Sequence, residues 1–384
     1  MQKIPILLMF LGHVCVDTSQ GILPAVLPKL KEFFDLSYLQ VGLAVTVLNL
    51  TSSVIQPVFG YISDRFRSGW FVPAGILWTS FAMGLMGWVH SYFLVLLLVG
   101  FAGLGTAAFH PRAMMAVTLV SGSRRGLGTA IFSTGGNLGF AIGPVIGTFL
   151  VLGFGLHATM GLLAPAVLFA SAILLYPGDF LRREAGGGAR SRGALHEGPF
   201  SIPWRSLIAL CLIVTLRSWV YASFMTYLPL FLQDQGVHLK TGSLILTVFL
   251  SCGAAAGLYG GHLSDRVGRR AVIVVSMLLF PALASLMMLS SGAWLWILAG
   301  VSGAALLSSF SVTIVWAQDL LPRRLGLASG LILGLGFGMG GLGVALSGHL
   351  ADVISLHHTL RMLALVPVLG SLLAFCVKTR ADAP

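Results

Sequence analysis

GYISDRF at residues 60–66 returns as GHLSDRVGRR at residues 261–270. Each copy follows a long apolar run and precedes another. Gly60, Asp64 and Arg65 align with Gly261, Asp265 and Arg266, and Pro28 and Pro229, each closing an earlier apolar run, stand at the same spacing. A pattern that repeats over half the chain is the mark of an internally duplicated architecture. The boundaries read as one half over 1–177, a linker over 178–204 and a second half over 205–384.

Composition says what the halves are made of. Hydrophobic residues are 57% of the chain and charged residues 9%, where soluble domains carry about 25% charged. A bilayer crossing needs roughly 20 apolar residues in a helix. Twelve such runs are visible, near 4–25, 38–62, 71–90, 92–118, 124–151, 157–177, 205–233, 239–263, 271–291, 293–318, 324–351 and 357–378. They are too long for the ~10-residue alternating strands of a membrane barrel. The 48 glycines suit helices that approach closely in lipid. The expected fold is an all-α integral membrane protein of twelve helices, six per half. The first run holds His13, Asp17 and Gln20 within its apolar stretch, which argues for a retained helix and against a cleaved signal.

Charge placement sets orientation. Of the 23 Lys and Arg, all but six collect on one side of the expected topology. Lys29, Lys31, Lys240 and Arg361 fall on the other, and Arg112 and Arg217 fall inside helices. The rich side is expected in the cytoplasm, with both termini and the linker. The net charge of +11 is then a topology signal, and no nucleic-acid partner is expected. The linker is polar, basic and Gly-rich, as a flexible tether is. Cys15, Cys211, Cys252 and Cys376 all sit in apolar runs without metal-ligand spacing. No phosphate-binding loop or nucleophile elbow appears, so no cofactor, metal or enzymatic activity is expected.

Together the helix pattern and the G-x-x-x-D-R-x-G-R-R loop resemble the major facilitator superfamily. The second copy, Gly261 to Arg270, matches fully; the first ends at Arg65. GHVCVDTSQGILPAVLP at 12–28, QPVFGYISD at 56–64, FHP at 109–111 and GGNLGFAIGP at 135–144 resemble the fosmidomycin-resistance group of bacterial efflux proteins. In that group an acidic residue usually follows the His-Pro; here Arg112 stands there. The resemblance implies that Gly60, Asp64, Arg65, Gly261, Asp265, Arg266 and Arg270 belong to gating loops. It also implies that Gly139, Gly143, Pro144 and Gly147 form the fifth-helix motif associated with antiporters. Physically, small residues four apart permit close helix approach, and proline bends a helix.

Polar residues inside the helices are the remaining candidates. A charge at mid-bilayer costs roughly 2.5–3.5 kcal/mol on insertion scales, so it faces a cavity or a partner. Asp17 is the one acidic residue well inside an apolar run. His13, Asp17, Gln20 and Pro24 form one stripe of the first helix, and Asn49, Ser53, Gln56 and Gly60 one stripe of the second. Either stripe lines a central pathway or holds the bundle together. Asp17 is the candidate proton carrier, and His13 can share or relay its proton because imidazole titrates near neutrality. His110, Arg112, Arg217, Tyr221, Asn49 and Gln56 are candidate substrate contacts. Arg112 and Arg217 either grip an anionic group or pair structurally, for example with Asp17.

The expected function is proton-driven antiport at the bacterial inner membrane, by a monomer, exporting a small amphipathic or anionic compound. The alternatives are a proton-coupled importer of an organic acid or sugar, and a non-transporting sensor or scaffold.

Overall fold

The computed structural model describes residues 1–66, 69–176, 203–322 and 325–377, and among these every regular element is helical. Eleven helices there are long and apolar enough to cross a bilayer, and one shorter apolar helix accompanies them. In chain order they are α1 Lys3–Phe34, α2 Tyr38–Ile62, α3 Phe71–Leu85, α4 Tyr92–Ser121, α5 Arg125–Phe154, α6 Leu156–Leu175, α7 Trp204–Asp234, α8 Leu239–Val267, α9 Arg269–Leu289, α10 Gly292–Leu320, α11 Leu327–Ile354 and α12 Leu356–Cys376. The twelve apolar runs each correspond to one of these. The third is the shortened one. Residues 86–88 turn rather than continue, Gly87 lies against the Leu156 carbonyl, and the Trp88 indole donates to the His157 carbonyl at 2.9 Å. The linker expected at 178–204 lies outside the described residues except for its last two positions, and the Asp64 side chain lies outside them as well.

Two compact units divide the chain: Met1–Ser191 with Gly236–Leu244, and Arg192–Gln235 with Ile245–Pro384. In the first, α1 packs along α5, and α3 and α2 pack on α4. Met9, Val16, Ile76, Phe109, Val117 and Phe132 are central to its core. In the second, α7 packs on α11 and α12, and α9 on α10 and α12. Its core centres on Leu210, Ile213, Val214, Met277, Trp316 and Ile332. Large apolar side chains such as Phe93, Leu97, Leu168, Leu258, Leu286 and Leu369 remain exposed, as lipid-facing positions are.

Several helices are interrupted for local chemical reasons. α1 resets at Ile22, ahead of Pro24 and Pro28, which cannot donate to the helix ladder. α2 starts at a capping box, in which Ser37 Oγ accepts from Gln40 N and Gln40 Oε1 accepts from Ser37 N. α2 then breaks at residues 54–55, just ahead of Pro57. α10 breaks at Ser308–Ser309, between the segments Gly292–Leu307 and Phe310–Leu320. The α10 break brings the Ser309 carbonyl within reach of Arg217 on α7.

Candidate functional site

The α1 stripe read from the sequence is almost wholly buried: His13 is 6% exposed, Asp17 4% and Gln20 4%. It lies against α5 because α5 has no side chains there. A methyl on Gly139 would meet the Val14 carbonyl at 2.6 Å, and one on Gly143 would meet the Gly21 carbonyl carbon at 2.5 Å. A methyl on Gly147 would meet Ile22 Cβ at 2.9 Å. The Gly-x-x-x-Gly-Pro-x-x-Gly run is therefore the surface on which α1 rests, backbone to backbone. One turn earlier, Gly136 performs the same service for the polar stripe. A methyl there would stand 2.5 Å from His13 Nε2 and 2.6 Å from Asp17 Oδ2.

Three side chains converge at that point. His13 Nε2 is 3.1 Å from Asp17 Oδ2, and His110 Nε2 is 3.6 Å from Asp17 Oδ1. The two imidazoles also meet, Nε2 to Nε2, at 3.1 Å. Gln20 Nε2 donates to Asp17 Oδ1 at 3.1 Å. The opposite edges of both rings are anchored on carbonyl oxygens: His13 Nδ1 lies 2.7 Å from Phe132 O, and His110 Nδ1 lies 2.9 Å from Thr106 O. Phe132 stacks on the His13 ring at 4.0 Å.

These anchors fix the tautomers. A carbonyl oxygen only accepts, so each Nδ1 carries a hydrogen. A neutral imidazole then presents a bare lone pair at Nε2. Without an added proton, two such lone pairs and a carboxylate face one another, and the cluster carries one buried negative charge. One proton shared among the three groups neutralises it and converts the contacts into hydrogen bonds. A second proton makes it cationic. Each proton gained or lost there would change the charge of a buried space by a whole unit. The donor atoms all lie within 4.8 Å of one another, a spacing that ligands of a divalent ion also adopt. Access is graded: the His110 side chain is 22% exposed, against 8% for His13 and 5% for Asp17.

His110, assigned from the sequence to substrate contact, therefore belongs geometrically with Asp17 and His13. Its place in the sequence does not reveal this, because the contact needs α4 to approach α1. Gly136 is a further participant that the residue pattern alone does not single out. Arg112 is 4% exposed and its Nη1 contacts Met115 Sδ at 2.9 Å. Asn49, Gln56 and Tyr221 are half-buried. Gly60 packs on Pro111 at an ordinary distance, and Arg65 is exposed.

In the second unit, Arg217 is 1% exposed. Its Nη1 donates to Ser309 O and to Thr313 Oγ1, both at 3.1 Å, and its guanidinium carbon sits 5.1 Å from the Phe310 ring centroid. The α10 break places these groups within its reach. Nearby aromatic side chains serve packing: Trp219 Nε1 donates to Ser347 Oγ, and the Tyr227 hydroxyl donates to Val344 O. In the second signature, Asp265 and Arg266 are exposed. The contacts come from its basic end. Arg269 pairs with Asp319 at 2.8 Å, and Arg270 donates to Val377 O at 2.9 Å. Gly261 lies against Ser311, and its neighbour Gly260 against the Ser308 carbonyl.

Comparison with known proteins gives the same fold and a narrower kinship. The family described as Major Facilitator Superfamily matches residues 9–244 and 210–384. The chain is 31% identical over 373 residues to the fosmidomycin resistance protein of Escherichia coli (strain K12), covering 96% of this chain and 92% of that one. It is 32% identical over 382 residues to the uncharacterized MFS-type transporter YfnC of Bacillus subtilis (strain 168), covering 97% and 92%. Among solved structures, a bacterial homologue of the human lysosomal transporter Spinster superposes with a TM-score of 0.80 at 16% identity, covering 97% of this chain and 96% of that one.

Proposed function

The chain belongs to the major facilitator superfamily of multi-pass membrane transporters, and on that premise we propose that it is a proton-driven antiporter. It exports a small amphipathic or anionic compound by alternating access. It works as a monomer in the bacterial inner membrane, with both termini and the 178–204 linker in the cytoplasm. The charge bias of the loops supports that orientation.

The observation that carries the reading is the Asp17–His13–His110 cluster. Its fixed Nδ1 anchors leave three proton-accepting groups in mutual contact. A transporter that couples to protons needs a buried group whose charge changes on loading, with a route for the proton. Asp17 is the terminal acceptor, His13 the relay and His110, the most accessible of the three, the portal. A metal ion fits less well, because the side chains already touch one another and Gly136 backs the cluster. A sensor or scaffold would have no use for such a store. Arg112, Arg217, Tyr221, Asn49 and Gln56 are the substrate contacts in this reading. The paired signatures around Asp64 and Asp265 gate access, and the glycine run from Gly139 to Gly147 supports the antiporter assignment.

The relative from Escherichia coli supplies a first probe. Expressed in a strain lacking that resistance protein, the chain should restore growth in fosmidomycin. In everted vesicles with an acidified lumen, an exported compound should alkalinise the lumen as it enters. Asp17→Asn should abolish this response while keeping substrate binding. A substrate-driven response of full size in Asp17→Asn would overturn the proton assignment. Further acidification of the lumen would favour symport.

A further inference from the structure

We propose that His13, Asp17 and His110 form a binding site for a transition-metal dication of the Zn2+ class. Binding itself does not depend on the proposed function; its consequence, competition with the coupling proton, rests on that reading.

Donor spacing matches the ion. Zn2+ holds imidazole nitrogens at about 2.0–2.1 Å, and tetrahedral ligands at that radius stand about 3.3–3.4 Å apart. His13 Nε2 is 3.1 Å from His110 Nε2 and 3.1 Å from Asp17 Oδ2, and His110 Nε2 is 3.6 Å from Asp17 Oδ1. An ion therefore asks the three groups to shift by a few tenths of an ångström. A shared proton asks for no shift and remains the better working occupant. The ion is a competitor for the same lone pairs.

Donor orientation is set in advance. A metal-binding imidazole characteristically gives its other N–H to a carbonyl or carboxylate, which fixes the tautomer and the ring. Both rings do so here, His13 Nδ1 to Phe132 O and His110 Nδ1 to Thr106 O. The carboxylate is held as well, by the Gln20 amide. Two Nε2 lone pairs are thereby aimed at one point, 3.1 Å apart. They repel each other until a cation stands between them. The supporting bonds of a metal site are thus in place around three donors from two helices.

The donor set selects the class of ion. Two imidazoles and one carboxylate suit Zn2+, Co2+ or Ni2+, whereas Mg2+ and Ca2+ take oxygen shells of six or more ligands. Three protein ligands leave a fourth position for water. Gly136 closes the cluster on the α5 side, and the His110 side chain, 22% exposed, marks the way in. Among the described residues no other group of three His, Cys, Asp or Glu side chains gathers in this way.

The test uses purified full-length protein without a histidine tag, in detergent, titrated with Co2+. The visible bands of tetrahedral Co2+ should saturate at one equivalent, vanish when Zn2+ is added and persist in excess Mg2+. Asp17→Asn and His110→Gln should each weaken binding at least tenfold. The double variant His357→Gln/His358→Gln, which removes the adjacent histidines of α12, should bind as the wild type does. Unchanged binding in Asp17→Asn and His110→Gln, loss of binding in the α12 variant, or displacement by Mg2+ overturns the proposal. If the cluster variants do not fold, X-ray absorption of the Zn2+-loaded α12 variant decides, because the site requires two imidazoles on the ion and no sulfur. Zn2+ should also block pH-driven transport in vesicles. Binding at the cluster with undiminished transport counts against the proton store and leaves the metal site standing, whereas absence of binding overturns the metal site alone.

Discussion

Replacing Gly136 with alanine tests the proposed proton store separately from the fold that carries it. The added methyl would stand 2.5 Å from His13 Nε2 and 2.6 Å from Asp17 Oδ2. Ordinary contact requires those groups to retreat by about 0.9 Å. Their own contact is 3.1 Å, and it lengthens past the hydrogen-bonding range of about 3.5 Å if the two groups part to admit the methyl. A hydrogen bond to a charged group is worth about 1.5–3 kcal/mol. Removing it should move the balance between proton-loaded and unloaded states by roughly 10- to 150-fold, against loading. The displaced atoms are side-chain ends, so the helix packing survives. The assay is an infrared titration of the purified protein, following the carboxylic-acid band that Asp17→Asn eliminates. Vesicle transport is measured alongside it. An unchanged titration midpoint and undiminished pH-driven transport in Gly136→Ala would refute the assignment of Asp17 and His13 to one proton store.

Gly143→Ala is different in kind, because its methyl would strike the backbone of Gly21. It should lower stability by about 1–3 kcal/mol, read as a reduced thermal midpoint. Gly153→Ala, with nothing within 4 Å, should be neutral or slightly stabilising. His110→Gln should slow proton loading while leaving Asp17 titratable, visible as slower vesicle alkalinisation with the infrared band retained; an unaltered rate would remove His110 as the portal. The Arg269–Asp319 pair is partly exposed, so a double-mutant cycle on thermal stability should return a coupling of only about 0.2–1 kcal/mol. A larger value would mean that the pair is shielded from water. Cysteine placed at Gly187, in a background without the native cysteines, should resist an impermeant reagent applied outside intact cells. Labelling there would reverse the orientation.

The sequence disclosed those features that repeat or obey a period. The duplicated signature suggested two halves, and apolar run length found a helix for each of the twelve runs, but not the extension of α1 to Phe34, the breaks within α1, α2 and α10, or the early turn after Leu85, where Trp88 reaches His157. The α1 stripe was legible because His13, Asp17 and Gln20 share one helix face. What pairs with it was not. His110 meets Asp17 only through the approach of α4 to α1, and no local pattern encodes that. The glycine run on α5 could be recognised as a packing motif, yet not as the surface that receives α1. Arg269 was visible as part of the signature, but its partner Asp319 is distant in sequence and lies in a helix end without a periodic signal. Arg217 showed itself as a charge in a helix. Its neutral surroundings emerged from the α10 break, which two serines give little cause to expect.

The reliance of α1 on α5 also bears on how the protein is made. His13 and its carbonyl anchor at Phe132 are 119 residues apart. At synthesis rates of about 5–20 residues per second, roughly 6–24 s pass before that anchor exists. Throughout that interval Asp17 and His13 occupy a helix that has reached the insertion machinery without the groups that later receive them. A helix carrying an intramembrane acid enters lipid reluctantly. Nascent α1 is therefore expected to linger beside the translocation channel until the glycine face of α5 emerges. Biogenesis of the first half then ends with the capture of its oldest helix by one of its youngest.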